Sequence, residues 1–162
     1  MQVVPKVDLK FSRVAFAICP TGSFCREDRC QSFFKFNLIP TMRAPLEECE
    51  SAGAIRAAGG IAQVFDAPAA RMRAEEFLKN LKDFSPDLII VVITFATLEA
   101  DLEWASKIKR VFPSTPIGIR GAPCYVMDNE ILRRAPQADF CIRGEYEVVF
   151  DELLRFGINA AS

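Results

Sequence analysis

The stretch SPDLIIVVIT, residues 85–94, narrows the possible folds more than any other. Leu88 to Ile93 are apolar without interruption, and all but the first are β-branched. The run is far too short to cross a membrane, which takes about 18 apolar residues or more. It also lacks the in–out alternation of a strand with one wet face. Such a run reads as a strand buried on both faces, at the centre of a parallel sheet. Parallel neighbours need a long crossover, usually a helix. The flanking chain should therefore alternate between strands and helices.

It does. RVAFAICP (13–20) is a short apolar strand ending at Pro20. PLEECESAGAIRAAGG (45–60) is a helix with Pro45 in its first turn, acids behind it and Gly59-Gly60 as its stop. IAQVFDAP (61–68) is a second strand, and RAEEFLKNLKDF (73–84) a helix with Phe77, Leu78, Leu81 and Phe84 on one side. After the central strand comes TLEADLEWASKIKRVFP (97–113), an amphipathic helix facing inward through Leu98, Leu102, Ala105, Ile108 and Phe112. Thr97 suits its N-cap, and Glu99 and Asp101 suit its first turns. PIGIRG (116–121), a helix over 127–136, DFCIRG (139–144) and a last helix over 145–156 complete the series. The pattern is α/β: a doubly wound, Rossmann-like, five-stranded parallel sheet with helices on both faces and the common strand order 2-1-3-4-5. Residues 1–162 form one domain with its core over about 13–156, and there is no internal repeat.

Charge and cysteine content remove several function classes. Twenty basic and 21 acidic residues leave a net charge of −1, so nothing favours nucleic acid or an anionic membrane. No membrane span or secretion signal is visible, which makes the cytoplasm the expected compartment. The six cysteines, at 19, 25, 30, 49, 124 and 141, include no CxxC pair, and there is no histidine. Structural zinc would need cysteines alone, or cysteine with carboxylate, at irregular spacing. Ser-His and Cys-His catalysis are excluded, so an enzyme with a cysteine nucleophile would lack its usual base.

In this architecture a ligand sits beyond the carboxyl ends of the strands, at the point where the strand order reverses. The loops there carry Thr21 and Gly22, then Thr94, Ala96 and Thr97, then Gly121 and Ala122, then Gly144. Glycines admit close backbone approach and hydroxyls supply donors, although each residue also suits an ordinary turn. GxGxxG and GxxxxGK[ST] are both absent, so nucleotide phosphates have no carrier residues. A phosphoacceptor domain of the response-regulator kind would want an aspartate at the tip of the third strand, where Thr94 stands.

Four segments taken in order, GAIRAAGGIAQVFDAP, FLKNLKDFSPDLIIVVITFATLEADLEWASKIKRVFP, PIGIRGAP and ADFCIRGEYEVVFDELL, resemble the cobalamin-binding domain that precedes the barrel in cobalamin-dependent radical SAM enzymes. The likeness runs from about Arg13 to Phe156. Its most specific piece is DFCIRGEYEVVFDELL, which looks like the family's D-x-x-x-R-G-E-x-E signature. TGSFCREDRCQS is similar to the first loop of the branch holding anaerobic porphyrin cyclases and hopanoid-modifying enzymes. The resemblance implies cobalamin held with its nucleotide tail detached from cobalt and tucked against the sheet edge. It assigns Thr21 and Gly22 to the first loop, and Thr94, Phe95 and Thr97 to the groove for the tail. Gly121, Ala122 and Pro123 would pass the nucleotide portion, and Gly144, Glu145 and Glu147 fall on the signature. Glu145 and Glu147 have a second reading, as acids favoured by a helix N-terminus.

Two departures qualify what the likeness implies. Cobalamin mutases and methionine synthase supply a histidine to cobalt from D-x-H-x-x-G; here CPTGSF stands in that place, so cobalt receives no histidine from this chain. The CxxxCxxC that holds the iron–sulfur cluster of radical SAM enzymes is also absent. The chain alone should therefore not cleave S-adenosylmethionine. It would serve a catalytic barrel supplied in cis or in trans, as an excised domain, a truncated product or a stand-alone carrier, with methyl or radical transfer as the family's chemistry. The alternative is an interaction module or fragment that keeps the fold without the cofactor.

Residues 21–43 read as one long irregular loop over the cofactor edge. Arg26, Glu27, Asp28 and Arg29 would pair with one another or meet polar substituents of the ring. Cys25 and Cys30 read as reduced thiols in a solvated loop, with a cobalt-facing thiolate as the other option. Phe33, Phe34, Phe36, Leu38 and Ile39 form an apolar run that would pack on the domain, cover the ring or meet a partner.

Overall fold

The computed structural model describes residues 10–22, 24–26, 31–33, 43–144 and 146–158. In chain order the elements are β1 (Arg13–Ile18), β2 (Phe24–Arg26), β3 (Gln31–Phe33), α1 (Leu46–Ala57), β4 (Ile61–Asp66), α2 (Ala67–Ala70) and α3 (Ala74–Phe84). They continue with β5 (Leu88–Val92), α4 (Leu98–Val111), β6 (Ile117–Arg120), α5 (Cys124–Arg134), β7 (Phe140–Cys141) and α6 (Tyr146–Phe156). The main sheet has the order β4-β1-β5-β6-β7. All four of its pairings are parallel. Counting only its own strands, this is the order 2-1-3-4-5 expected from sequence.

The pleat sorts the core into two layers. Ala15, Ala17, Ile89, Val91, Ile117 and Ile119 point to the side covered by α3, α4 and α5. Val14, Phe16, Leu88 and Ile90 point to the side covered by α1 and α6. Phe16 meets Phe150 of α6 edge-to-face at 5.3 Å, and Phe77 of α3 meets Trp104 of α4 likewise at 5.6 Å. Such pairs add about 1 kcal/mol to the burial of the rings themselves. Every residue of β5 is buried, as its unbroken apolar run requires.

The strand starts are pinned by one carboxylate. Asp87 accepts from the Ser12 amide at 2.8 Å, the Ser12 hydroxyl at 2.8 Å and the Arg13 amide at 2.9 Å. Its own amide donates to the Arg13 carbonyl at 2.9 Å. Helix α3 stops at Ser85, which takes a left-handed conformation just before Pro86.

Three local features differ from the sequence reading. The segment after β1 is not wholly irregular: β2 and β3 pair antiparallel, with Cys25 opposite Ser32 and Arg26 opposite Gln31, while residues 27–30 lie outside the described residues. A short helix, α2, follows β4 directly, with the Asp66 carboxylate accepting from the Ala69 amide at 3.2 Å. Helix α5 begins at Cys124 rather than 127, with a kink at Met127 where a tight turn joins the main helix.

Candidate functional site at the carboxyl edge of the sheet

The strand order reverses between β1 and β5, because α1 lies on one face while α3 and α4 lie on the other. The loops leaving these strands, Cys19–Gly22 and Ile93–Thr97, define the crevice that the architecture reserves for ligands.

On the α4 side the crevice is closed by a polar cluster. Asp101, on the first turns of α4, is 2% exposed. Its carboxylate accepts from the Thr97 hydroxyl at 2.6 Å and from the Thr94 amide at 3.2 Å. The Thr21 hydroxyl also bonds to it, and Thr94 and Thr97 share a hydroxyl–hydroxyl bond of 2.9 Å. One carboxylate therefore ties both switch-point loops together. Burial raises its pKa to about 7, against the opposing pull of the bonds from Thr97, Thr94 and Thr21. Thr97 does stand at the N-cap position of α4, but its side chain serves Asp101 and caps no amide.

On the α1 side the same edge is closed by a charged cluster. Arg120, the last residue of β6, has 0% exposure. Its guanidinium donates to Glu47 at 3.0 Å and to the Ser51 hydroxyl at 3.1 Å, and lies 3.5 Å from Glu48. All three partners come from the first two turns of α1. Val92 sits beside the arginine at the tip of β5, with Ile18 beyond it at the tip of β1, and both are buried.

Above these two seals several described residues are exposed. Gly22 and Gly144 have φ of +113° and +90°, and a methyl group built on either would meet nothing within 4 Å. Phe95 is 60% exposed, and Tyr125 and Val126 are exposed as well. The Tyr125 hydroxyl donates to the Gly144 carbonyl at 3.0 Å, joining the start of α5 to the loop after β7. Gly121 differs from the other two glycines. Its φ is +139°, and a Cβ there would fall 2.0 Å from the Ile93 carbonyl oxygen. Its lack of a side chain is demanded by the approach of β6 to β5, which no ligand is needed to explain.

The residues singled out from sequence thus divide. Thr21, Gly22, Thr94, Phe95, Thr97, Gly121, Ala122, Pro123 and Gly144 all lie in the loops at this edge. Of these, Gly22, Phe95, Ala122 and Gly144 are exposed, whereas Thr94, Thr97, Gly121 and Pro123 are buried within the loops themselves. Glu147 lies in α6 with its side chain outside the described residues, and Glu145 lies outside them altogether, as do Glu27, Asp28, Arg29, Cys30, Phe34, Phe36, Leu38 and Ile39. Sequence reasoning missed the buried roles of Asp101 and Arg120. The signal for Asp101 was available: it shares the inner stripe of α4 with Trp104, Ala105 and Ile108. For Arg120 the signal was a cation ending an apolar strand, matched by two acids opening α1.

Cys19, the described thiol nearest the crevice, is fully buried and donates to the Ala17 carbonyl at 3.8 Å. Burial, and then the Asp101 charge, push its pKa well up, so it remains a thiol. It is suited neither to nucleophilic attack nor to ligating cobalt. Among the described residues no group of three or more histidines, cysteines or acids is placed to hold a metal ion. A shallow depression of about 410 Å³ lined by Ser106, Lys109, Arg110, Pro113 and Gln137 lies at the other end of α4, at the opposite edge of the sheet. No described helix is long and apolar enough to cross a membrane.

A corrin ring and its nucleotide tail make different demands on this edge. Among the described residues, Gly22, Phe95, Ala122 and Gly144 are exposed groups that a flat macrocycle laid across the strand tips would meet. Between sheet and α1 the tip of β6 is filled by Arg120, which is bonded to Glu47 and Ser51, so that space offers a nucleotide tail no room.

The architecture defines a doubly wound α/β domain with its candidate site at the sheet switch point. No family model matches the chain. No curated protein matches it either. Among solved structures it is similar to the Vibrio cholerae chemotaxis protein CheY4, with 11% identity and a TM-score of 0.52, over 87% of this chain and 93% of that one. At that identity the likeness speaks for the fold alone. The third sheet strand, β5, is followed by Ile93 and Thr94, so no acid stands at its tip, and the nearby Asp101 is sealed from solvent.

Proposed function

We propose that this chain is a cobalamin-binding module. It holds the corrin ring over the carboxyl edge of the sheet, with the nucleotide tail detached from cobalt and no histidine beneath the metal. Catalysis belongs to a radical SAM barrel supplied in cis or in trans, and the chain alone has no activity. The observation that carries this reading is the DFCIRGEYEVVFDELL signature, whose Gly144 sits at the open rim just before α6. Phe95, Ala122 and the backbone around Gly22 and Gly144 would line the ring.

The test is incubation with hydroxocobalamin, passage through a desalting column and an absorbance spectrum. Retained cofactor with the bands of tail-detached cobalamin supports the carrier. Complete separation of protein and cofactor refutes it and leaves the second reading, an interaction module that keeps the fold without the cofactor. That reading draws on the exposed Leu46, Val148 and Phe156, apolar side chains on the helices of one face.

A further inference from the structure

We infer that Arg120 is a specificity-determining residue that bars the layer between sheet and α1 to any ligand arm, so that a corrinoid is held by its ring and gains nothing from its nucleotide tail. This rests on the cobalamin reading for the identity of the ligand, and on geometry alone for the plug.

Gly118 and Arg120 share the face of β6 that looks towards α1 and α6, because side chains alternate along a strand. At Gly118 the space is taken by the Phe140 ring: a Cβ there would come within 2.6 Å of it. One step along, at the tip, the Arg120 guanidinium fills the layer from the sheet to α1. Glu48 and Ser51 are buried with it, while Glu47 reaches the surface and joins the cluster to solvent. A guanidinium is planar, always charged and rigid in its fork, so it serves as a charge-balanced stopper. An incoming heteroaromatic arm would have to eject it, leaving Glu48 buried beside an apolar ring without that counter-charge, an arrangement proteins avoid. Among the described residues the other face of the crevice offers no detour, since Thr94, Thr97 and Asp101 close it from the α4 side. A ligand at this edge therefore rests on the tips and does not thread between the layers.

Two measurements test this. In the first, 5,6-dimethylbenzimidazole is titrated into the protein at millimolar concentration while backbone amide shifts are followed. The wild type should show no change at Ser51, Val92 or Arg120, and the double variant Arg120→Ala with Glu48→Ala, which removes stopper and counter-charge together, should show shifts at those amides. In the second, dissociation constants are measured for hydroxocobalamin and for tail-less aquocobinamide. The wild type and Arg120→Met, which fills the slot without charge, should bind the two within about threefold of each other. The double variant should come to prefer cobalamin tenfold or more. Benzimidazole shifts at those amides in the wild type, a tenfold wild-type preference for cobalamin, or an unchanged double variant that still melts cooperatively would each overturn the plug. Failure of the wild type to bind either corrinoid would overturn the cobalamin reading instead, and the benzimidazole titration alone would then decide the plug.

Discussion

Replacing Gly121 with alanine should be among the most damaging single-methyl additions to this protein. The new Cβ would sit 2.0 Å from the carbonyl oxygen of Ile93. That oxygen belongs to the backbone, so no rotamer change relieves the clash; β5 and β6 must part at their tips. Parting weakens the bond from the Ile93 amide to the Arg120 carbonyl, now 2.8 Å. A hydrogen bond of that kind contributes about 1 kcal/mol net. The backbone adds its own strain, because φ of +139° is a region alanine avoids at a cost of about 1–3 kcal/mol. Together these come to about 3 kcal/mol. With m near 2 kcal/mol per molar, the urea midpoint should fall by about 1.5 M. In a domain of this size the melting temperature should fall by about 6–12 °C. Gly22→Ala is the internal control: its φ is also positive, at +113°, but nothing lies within 4 Å. It should lose only the conformational part, about 1–2 kcal/mol. Urea curves followed by circular dichroism compare the two. If Gly121→Ala unfolds at the same midpoint as Gly22→Ala, the account of β6 lying hard against β5 is wrong.

Asp101 and Asp87 give two further expectations. The Asp101 carboxyl has its pKa raised from 3.8 to about 7, so the folded state holds a proton that the unfolded chain releases near pH 4; the stability it contributes is full below that pH and is lost as pH rises through 7. The loss amounts to something on the order of 4 kcal/mol between pH 4 and 8. Asp101→Asn should flatten this part of the profile in urea titrations at pH 5, 6, 7 and 8; parallel profiles for variant and wild type would contradict the assignment. Asp87→Ala removes the acceptor of three bonds at the strand starts and should lower stability by about 2–3 kcal/mol. An urea midpoint unchanged within error would show that the Ser12–Arg13 backbone is held by other means.

The parts of this fold that were legible from sequence are those with a local signature. Leu88–Ile93 declared a doubly buried strand because no polar residue interrupts it, and the helices over 73–84 and 97–113 declared themselves by spacing. From those elements the strand order followed, and with it the edge at which such a sheet would seat a ligand. The pairing of β2 with β3 was not legible: each strand is three residues long, too short for any periodicity, and both are interrupted by charged or polar residues. Asp101 was read as an acid suited to the start of a helix. Its burial depends on Thr21, far away in sequence, lying across from it. Arg120 was overlooked for the same reason, since Glu47 and Ser51 approach it from more than 65 positions upstream. Both residues are polar at positions where the local pattern calls for apolar ones, and both sit at the edge where a ligand is expected. At that edge the demands of packing and those of binding overlap: Thr94, Thr97 and Gly121, singled out for a ligand, each also answer to packing within the protein.

The position of β1 has a consequence for how the chain is made. Ile18 lies between Asp66 on one side and Val92 on the other. During synthesis β1 emerges from the ribosome before either flanking strand exists. Its apolar residues, and both rows of its backbone amides and carbonyls, must then wait for distant partners, which is the situation that slows folding and invites aggregation. That exposure ends only when Leu88–Val92 has cleared the exit tunnel, so a holdase chaperone has its window of use before that point.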